Sequence, residues 1–349
     1  MAISGLSGFA NILRSNYGDL ITSAVITRGV GAEKLIAENS LLGFLAREGR
    51  VRLGADGANP YGDKAAKWPV HSSGGSAASY SESDAFAAAT AEVVGTAELD
   101  WKRNAVTLEI DELARNAARG NAVVGNGSAY GFEYMAKLKA LFKAVDDQMA
   151  SDGSGNSGKD ITGFQAFLSD SNTYAGINQA TASYWQAAEI NASGASLDED
   201  LIRTALRDMD IKASRPSHLL LGMTQYHKYL SSKQTQVRFV GGANGSSSAT
   251  FDDVDGVKIV PISTLNDSAR ANDEAWLINI DDITMHFLPQ DADDKGAQTE
   301  ADNFLGYPIG IKELSTTGDS SKFGIKCYSQ LVCKRPFAQG VIYGLSTTI

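Results

Sequence analysis

Cysteine is nearly absent: the 349 residues contain two, Cys327 and Cys333. Six positions apart on one strand, they would share a face at a separation of about 20 Å, too far to bond to each other. A disulfide framework and a thiol nucleophile are therefore not expected, and both read as free, buried thiols of a reducing compartment. Long apolar runs are missing as well. No stretch approaches the ~18 to 20 residues a membrane helix requires, and the opening MAISGLSGFANILRSNYG lacks the basic-then-apolar layout of a secretion signal. The expectation is a soluble product made in a cytoplasm, with no membrane partner. A surplus of positive charge is also lacking, since 31 Lys and Arg face 41 Asp and Glu for a net charge of -10. Nothing in those totals suggests a surface that binds nucleic acid by neutralising phosphates, although a protein that merely surrounds nucleic acid can be acidic. What remains, 43% apolar and 21% charged, is ordinary for a packed globular chain of two or three domains.

The usual signatures of chemistry are incomplete. Gly153 to Asp160, GSGNSGKD, comes within one residue of the phosphate-cradling pattern G-x-x-x-x-G-K-[ST]. Asp160 replaces the magnesium-binding hydroxyl, however, and the loop follows a helix instead of preceding one. Asp291, Asp293, Gly296 and Asp302 fall on calcium-loop positions, but Lys295 occupies a ligand position and no flanking helices are evident. His71, His218, His227 and His286 have neither ligand spacing nor neighbouring cysteines, and His227 reads as a surface helix residue. There is no G-x-S-x-G elbow. The carboxylate pairs Glu109 with Asp111 and Asp146 with Asp147 fall on polar faces, where solvated charges belong. Sequons at Asn126, Asn191, Asn244 and Asn266 carry no meaning without secretion. The inventory yields no enzyme, no cofactor and no metal site.

The chain is organised around Ser128 to Ala150, where Tyr134, Leu138, Leu141, Phe142, Val145 and Met149 recur at spacings of three and four. Lys137, Lys139, Lys143, Asp146 and Asp147 occupy much of the rest of this helix, which at 1.5 Å per residue is roughly 35 Å long. It ends in the Gly- and Ser-rich Ser151 to Asp160, which reads as the hinge between two parts of the protein. Residues 1 to 32 read as an extended arm, followed by a short helix over Ala32 to Arg47. From Val51 to Asp100 the composition turns to Gly, Ala and Ser, with strand candidates at Val51-Leu53, Trp68-Val70 and Ala91-Val94, which reads as a long hairpin with a flexible tip. Lys64, Lys67, Lys102 and Arg103 sit at its ends, and Glu82, Asp84, Glu92, Glu98 and Asp100 lie between, a layout shared by docking arms and solvated loops. Trp101 to Ile110 alternates as a strand, and Asp111 to Gly120 reads as a short helix. Beyond the hinge, Ser196 and Glu199 form a capping box for a helix buried through Leu201, Ile202, Ala205, Leu206 and Met209. His218 to Leu221 reads as a strand and Met223 to Ser231 as a short helix, with a loop at Asn244 to Ser248. Val257-Pro261, Ala275-Ile280 and Ile283-Leu288 follow as strands, the last two tightly connected by Asp281 and Asp282. Asn303 to Ile349 alternates again, a sheet on which the long helix can lie.

Asn172 to Gln186, NTYAGINQATASYWQ, resembles a signature of the major capsid proteins of tailed double-stranded-DNA bacteriophages. The matching residues are Tyr174, Gly176, Ile177, Asn178 and Trp185, with Gln179 where that family often has Arg. The order of segments is also similar to the Hong Kong ninety-seven type capsid fold, an α+β architecture, over nearly the whole chain. The resemblance implies an N-terminal arm (1-50), an extended hairpin loop (51-100), a peripheral domain (101-160 and 303-349) with spine helix 128-150, and an inserted axial domain (161-302).

The same resemblance implies a structural protein that self-assembles through hexamers and pentamers into an icosahedral shell, built in the host cytoplasm. That shell would enclose double-stranded DNA without sequence-specific contacts. A separate scaffold protein, a portal and possibly a decoration protein are the partners it implies. Lys64, Lys67, Trp68, Glu82, Asp84 and Glu92 are candidate assembly contacts, and Lys64 and Lys67 lie in the loop from which some relatives link subunits covalently. An encapsulin-like nanocompartment shell, a shell-attached or tail structural protein, and, from a different class, a carboxylate-dependent hydrolase are the alternatives. Ordering a long arm and a sparse hairpin costs about 1 to 2 kcal/mol per residue with little burial to offset it, which favours contacts from neighbouring copies.

Overall fold

The computed structural model describes residues 39-53, 64-73, 79-82, 93-111, 129-211, 214-237, 253-266, 272-288, 309-314 and 320-347. The arm at 1-38, the short helix expected at 112-120, the loop at 244-248 and the acidic turn at 291-302 lie outside these residues.

Helix α1, Leu41–Arg47, starts at Ser40, whose hydroxyl accepts the Gly43 N–H at 3.0 Å. Strands β1 (Val51–Leu53), β2 (Ala65–Ser73), β3 (Val93–Asp100) and β4 (Lys102–Asp111) precede the long helix α2, Ala129–Met149. Leu138, Leu141, Phe142, Val145 and Met149 form its buried stripe, as their spacing predicts. Two short strands, β5 (Thr173–Tyr174) and β6 (Ile177–Asn178), and then β7 (Ala188–Asn191) lead to helix α3, Glu199–Ile211. There follow β8 (His218–Gly222), helix α4 (Met223–Val237), β9 (Asp253–Val254), β10 (Val257–Ile262), β11 (Ala275–Ile278) and β12 (Ile283–Phe287). The described chain closes with β13 (Ile309–Leu314), β14 (Ser320–Cys333) and β15 (Gly340–Tyr343).

The strands form a five-stranded sheet, a six-stranded sheet and two ribbons. In the first sheet β14, 14 residues long, is the shared strand. Its whole N-terminal part pairs antiparallel with β4, while β13 and then β12 share its other edge end to end. The second sheet runs β7-β15-β11-β8-β10-β9. Its Leu219, Leu221, Ala275, Leu277 and Ile342 pack with Ile202, Ala205 and Met209 of α3 and with Tyr229 of α4. The alternate residues Leu220, Trp276 and Ile278 face the larger core, which they share with α1, α2 and the first sheet. Burial of each such side chain contributes about 1.5 to 3 kcal/mol, so this common core binds the two sheets into one body.

Several expectations are corrected. The tight connection at Asp281 and Asp282 is found, although it does not close a hairpin, since β11 lies in the six-stranded sheet and β12 in the five-stranded one. Nor do residues 303-349 build one platform, since β15 leaves β13 and β14 to join the other sheet. Val51–Leu53 pairs in parallel with β12 and not with the hairpin. Helix α4 runs on to Val237, and α3 is started by Asp198, whose carboxylate accepts the Leu201 N–H at 2.8 Å, leaving Glu199 to pair with Lys233 and Arg203. The expected hinge is a largely exposed turn with two ties to its surroundings. Lys102 Nζ donates to the Gly158 carbonyl at 2.6 Å, and Ile161 N–H to Gln148 Oε1 at 3.3 Å. A Cβ on Gly163 would lie 2.2 Å from the Met149 carbonyl oxygen, so only glycine lets the chain pass the end of α2.

The largest correction concerns Asp146, which the helical pattern places on a solvated face and which is buried. Its Oδ1 accepts the Leu42 N–H at the start of α1 at 2.7 Å, and its Oδ2 accepts the Thr264 hydroxyl. One carboxylate thus joins α1, α2 and the turn after β10. Burial raises its pKa above the ordinary value; the bonds from Leu42, Thr264 and Ser40 oppose the rise, and the nearby Asp147 charge adds to it. Asp146→Ala strands two buried donors and is expected to cost about 3 kcal/mol, read as a lowered melting temperature. Because the folded value lies above the unfolded one near ~3.9, the proton favours the fold. The stability of the wild type relative to Asp146→Asn should therefore decline as pH rises from about 4 through the folded value; a difference flat in pH would refute the linkage.

Candidate assembly site at the hairpin root

Strands β2 and β3 form an antiparallel hairpin in which Lys67 pairs with Glu98, Trp68 with Ala97, Pro69 with Thr96 and His71 with Val94. Period-two alternation divides it into two faces. Ala66, Trp68, Val70, Ala97 and Leu99 are buried in the larger core, whereas Lys67, Pro69, His71, Val94, Thr96 and Glu98 are exposed. Lys67 Nζ and Glu98 Oε1 lie 3.5 Å apart on the outer face, an exposed pair worth well under about 1 kcal/mol. At the base, Lys64 is exposed and its carbonyl accepts the Trp101 N–H at 3.3 Å.

The socket that receives the inner face is the stretch carrying Tyr174, Gly176, Ile177, Asn178 and Trp185. Ala175 and Gly176, at φ 53° and 80°, form the two-residue turn joining β5 to β6. Positive φ at both positions matches the twist of a tight hairpin and accounts for glycine at the second. The Ala175 carbonyl accepts the Glu98 N–H at 3.1 Å, which ties β3 to the turn. Tyr174 is fully buried, with ring centroids 5.5 Å from Phe167, 6.2 Å from Trp185 and 6.5 Å from Trp68. Its hydroxyl accepts the Cys333 N–H at 2.7 Å, and its carbonyl accepts Trp185 Nε1 at 3.2 Å. Burial pushes the phenol pKa well up, so the group stays neutral. Gln179, where the resemblance leads to Arg, is also fully buried; its Nε2 donates to the carbonyls of Phe167 and Trp185, each at 3.2 Å.

The candidate residues therefore separate. Tyr174, Gly176 and Trp185 are brought together with Trp68, which seats the hairpin inside its own chain and is 8% exposed, a placement that takes it off the surface. Ile177 is half-buried beside this cluster, while Asn178 is exposed and its Oδ1 accepts the Ala180 N–H at 2.9 Å. Lys64, Lys67 and Glu82 are exposed, and Asp84 and Glu92 lie outside the described residues.

A Ser, His and carboxylate grouping that motif reading misses does occur. Ser217 Oγ is 2.8 Å from His218 Nδ1, and Glu48 is 4.0 Å from Nε2. The hydroxyl accepts the Ile280 N–H at 3.1 Å and reaches the Ile278 carbonyl at 3.3 Å, so it splices β8 to the end of β11. Burial lowers the His218 pKa, with Glu48 opposing. Only the fold brings Glu48 to it. Cys327 and Cys333 are both free and buried, with burial pushing the Cys327 thiol up to about 12, which suppresses thiolate chemistry. Among the described residues no group of three or more His, Cys, Asp or Glu could hold a metal, and no helix is long and apolar enough to cross a membrane.

Solved structures share this architecture. The capsid subunit of cyanophage A-1(L) is 16% identical, with 81% of this chain and 88% of that one covered at a TM-score of 0.62. The capsid of cyanophage P-SCSP1u gives 13%, 92%, 93% and 0.52 in the same order. An encapsulin complex from Synechococcus elongatus PCC 7942 gives 9%, 74%, 79% and 0.50. These likenesses define an α+β fold of the Hong Kong ninety-seven type. The chain belongs to the SU10 major capsid protein family, whose model matches residues 96–346. It is accordingly a bacteriophage major capsid protein, a structural component of the virion capsid. No curated protein matches it in sequence.

The socket makes two expectations. Tyr174→Phe keeps the ring and strands the Cys333 N–H, so it should cost about 1 to 3 kcal/mol and speed hydrogen exchange at that amide. Gly176→Ala adds a Cβ that meets no atom within 4 Å. Its cost, about 1 to 2 kcal/mol in melting experiments, should come from the backbone alone.

Proposed function

We propose that the chain self-associates through hexamers and pentamers into an icosahedral shell that encloses double-stranded DNA without reading its sequence. Its role in that shell is structural and not enzymatic. The observation that carries this reading is the family match, which spans both sheets except β1, the long helix and most of β3. The hairpin is in keeping with it, because its inner face is fastened within the chain while its outer face presents Pro69, His71, Thr96 and Val94, the last 61% exposed. Repetition of weak contacts at such a face around closed rings sums to a stable particle.

In this reading residues 1-50 are the arm, 51-100 the extended loop, 101-160 with 303-349 the peripheral domain and 161-302 the axial domain. Lys64, Lys67, Glu82, Asp84 and Glu92 make contacts between copies. Assembly takes place in the host cytoplasm with a separate scaffold protein, a portal and, in some shells, a decoration protein. An encapsulin-like nanocompartment is the second reading; the likeness to the Synechococcus complex supports it at the level of fold alone, and the family match favours the phage shell.

Negative-stain electron microscopy and light scattering of the protein, alone and with its neighbouring gene products, should show closed shells or uniform rings of five and six. A strict monomer under every condition would overturn the shell reading. Reversing Glu82 and Asp84 to Lys should raise the concentration needed for assembly about fivefold, since each lost contact is worth up to about 1 kcal/mol. Unchanged assembly would remove the acidic limb from the interface.

A further inference from the structure

A buried histidine stands at the seam where the chain crosses between the two sheets. From the six-stranded sheet, β11 passes to β12 through Ile280–Asp282. From the end of α1, residues Glu48 to Arg50 lead straight into β1, and the Arg50 carbonyl accepts the Met285 N–H of β12 at 2.8 Å. The Arg50 guanidinium also pairs with Asp281, so these two segments are fastened to each other. His218, the first residue of β8, reaches both. Its Nδ1 lies 2.8 Å from the Ser217 hydroxyl, which accepts the Ile280 N–H at 3.1 Å, and its Nε2 lies 4.0 Å from Glu48. Phe44 of α1 packs against the ring in a T-shaped arrangement with centroids 5.3 Å apart, and His218 is 4% exposed.

This seat suits the neutral ring. Ser217 has one hydroxyl proton to give and two acceptors in reach, Nδ1 at 2.8 Å and the Ile278 carbonyl at 3.3 Å. A neutral ring with its lone pair at Nδ1 takes the shorter bond. A protonated ring has no lone pair, so the hydroxyl must turn to the longer bond and accept from Nδ1 and from Ile280 together. The charged groups that face the ring are Glu48 of α1 and Lys258 of β10, while its partner on β11 is the apolar Ile278. Burial lowers the pKa of the ring, Glu48 opposes the fall and Lys258 adds to it. At 4.0 Å Glu48 is too distant for a charge-assisted hydrogen bond, which leaves an imidazolium here incompletely compensated.

We propose that His218 is a proton-sensitive clasp, which when neutral holds the C-terminal end of α1 against the six-stranded sheet and when protonated lets that end go. The freed segment runs into β1, the edge strand of the five-stranded sheet, so a proton taken up at the seam loosens the joint between the two sheets. The other end of α1 answers in the opposite sense. Asp146 holds it through the Leu42 N–H, and protonation of that carboxylate favours the fold. Acid therefore weakens the grip at Glu48 and leaves the grip at Leu42, so the helix pivots instead of detaching. The clasp belongs to the single chain, and its failure would leave the shell reading as it stands.

The test is hydrogen exchange of the whole, unassembled chain from about pH 7.5 to about pH 5.5, corrected for the intrinsic pH dependence of exchange. It is read at the amides of Glu48, Gly49 and Arg50, which donate to the carbonyls of Phe44, Ala46 and Leu45. Because the folded value lies below the ordinary one near ~6.5, the contribution of the neutral ring is complete above ~6.5 and is lost as pH falls through the folded value. One linked proton changes an equilibrium by at most about tenfold per pH unit, so protection at these amides should fall several-fold while the α3 amides from Ile202 to Met209 keep theirs. His218→Asn, which can still accept from Ser217 and does not titrate, should abolish the fall. Glu48→Gln removes the group that favours the charged ring and should deepen the fall, whereas Lys258→Gln should make it shallower. Both of those replacements are at exposed positions and decide the matter if His218→Asn does not fold. The clasp is refuted by wild-type protection that is flat in pH, by a fall that His218→Asn retains, by Glu48→Gln and Lys258→Gln moving it in the same direction, or by an equal fall across α3.

Discussion

The hydroxyl of Tyr174 accepts the backbone N–H of Cys333, and most of the hairpin's geometry hangs on that bond. Cys333 ends the long strand that β4, β12 and β13 all pair with, and Tyr174 begins the turn that Glu98 of the hairpin bonds to. The bond is made in the dry centre of four aromatic rings, where an unmade one would leave a buried donor at a cost of about 1 to 3 kcal/mol. Hairpin, turn and sheet are therefore positioned by one another and cannot shift singly. A loop that must meet a neighbour at a repeatable angle needs such a root.

Much of this was legible in the sequence, and the reasons for the failures are physical. Leu138, Leu141, Phe142, Val145 and Met149 announced a buried helix stripe because burial and helical period leave a repeating mark. The resemblance carried by Tyr174, Gly176 and Trp185 located the socket, although it could not say that Trp68 would fill it. Asp146 was misplaced because pattern reading assigns a carboxylate to water, whereas here two donors distant in sequence make its burial tolerable. Asp198 was overlooked as a cap because Ser196 and Glu199 satisfied a familiar spacing. Strand β15 was assigned to the wrong sheet: alternation identifies a strand and carries no record of the sheet it joins.

Charge divides the molecule differently from its sheets. Residues 161-302, with 20 Asp and Glu against 10 Lys and Arg, carry most of the negative charge, which opposes indiscriminate adhesion to other anions. Residues 101-160 and 303-349 hold 13 Lys and Arg against 10 Asp and Glu. Arg103 and Lys326 are braced over the Tyr328 ring, so a net charge of -10 conceals a locally cationic face.

The order in which β14 finds its partners has a consequence for how the subunit is made. Residue Val51 pairs with a strand that pairs with β14, and β4 pairs with β14 directly. Every pairing of the first sheet except that of β1 with β12 thus waits for a strand that leaves the ribosome near the end of synthesis. Such a high contact order makes folding slow and late, after translation and not during it. A prematurely terminated chain lacks the centre of its first sheet and cannot present a seated hairpin. Completeness of the chain is thereby checked by folding itself, before any copy can enter a lattice and spoil it.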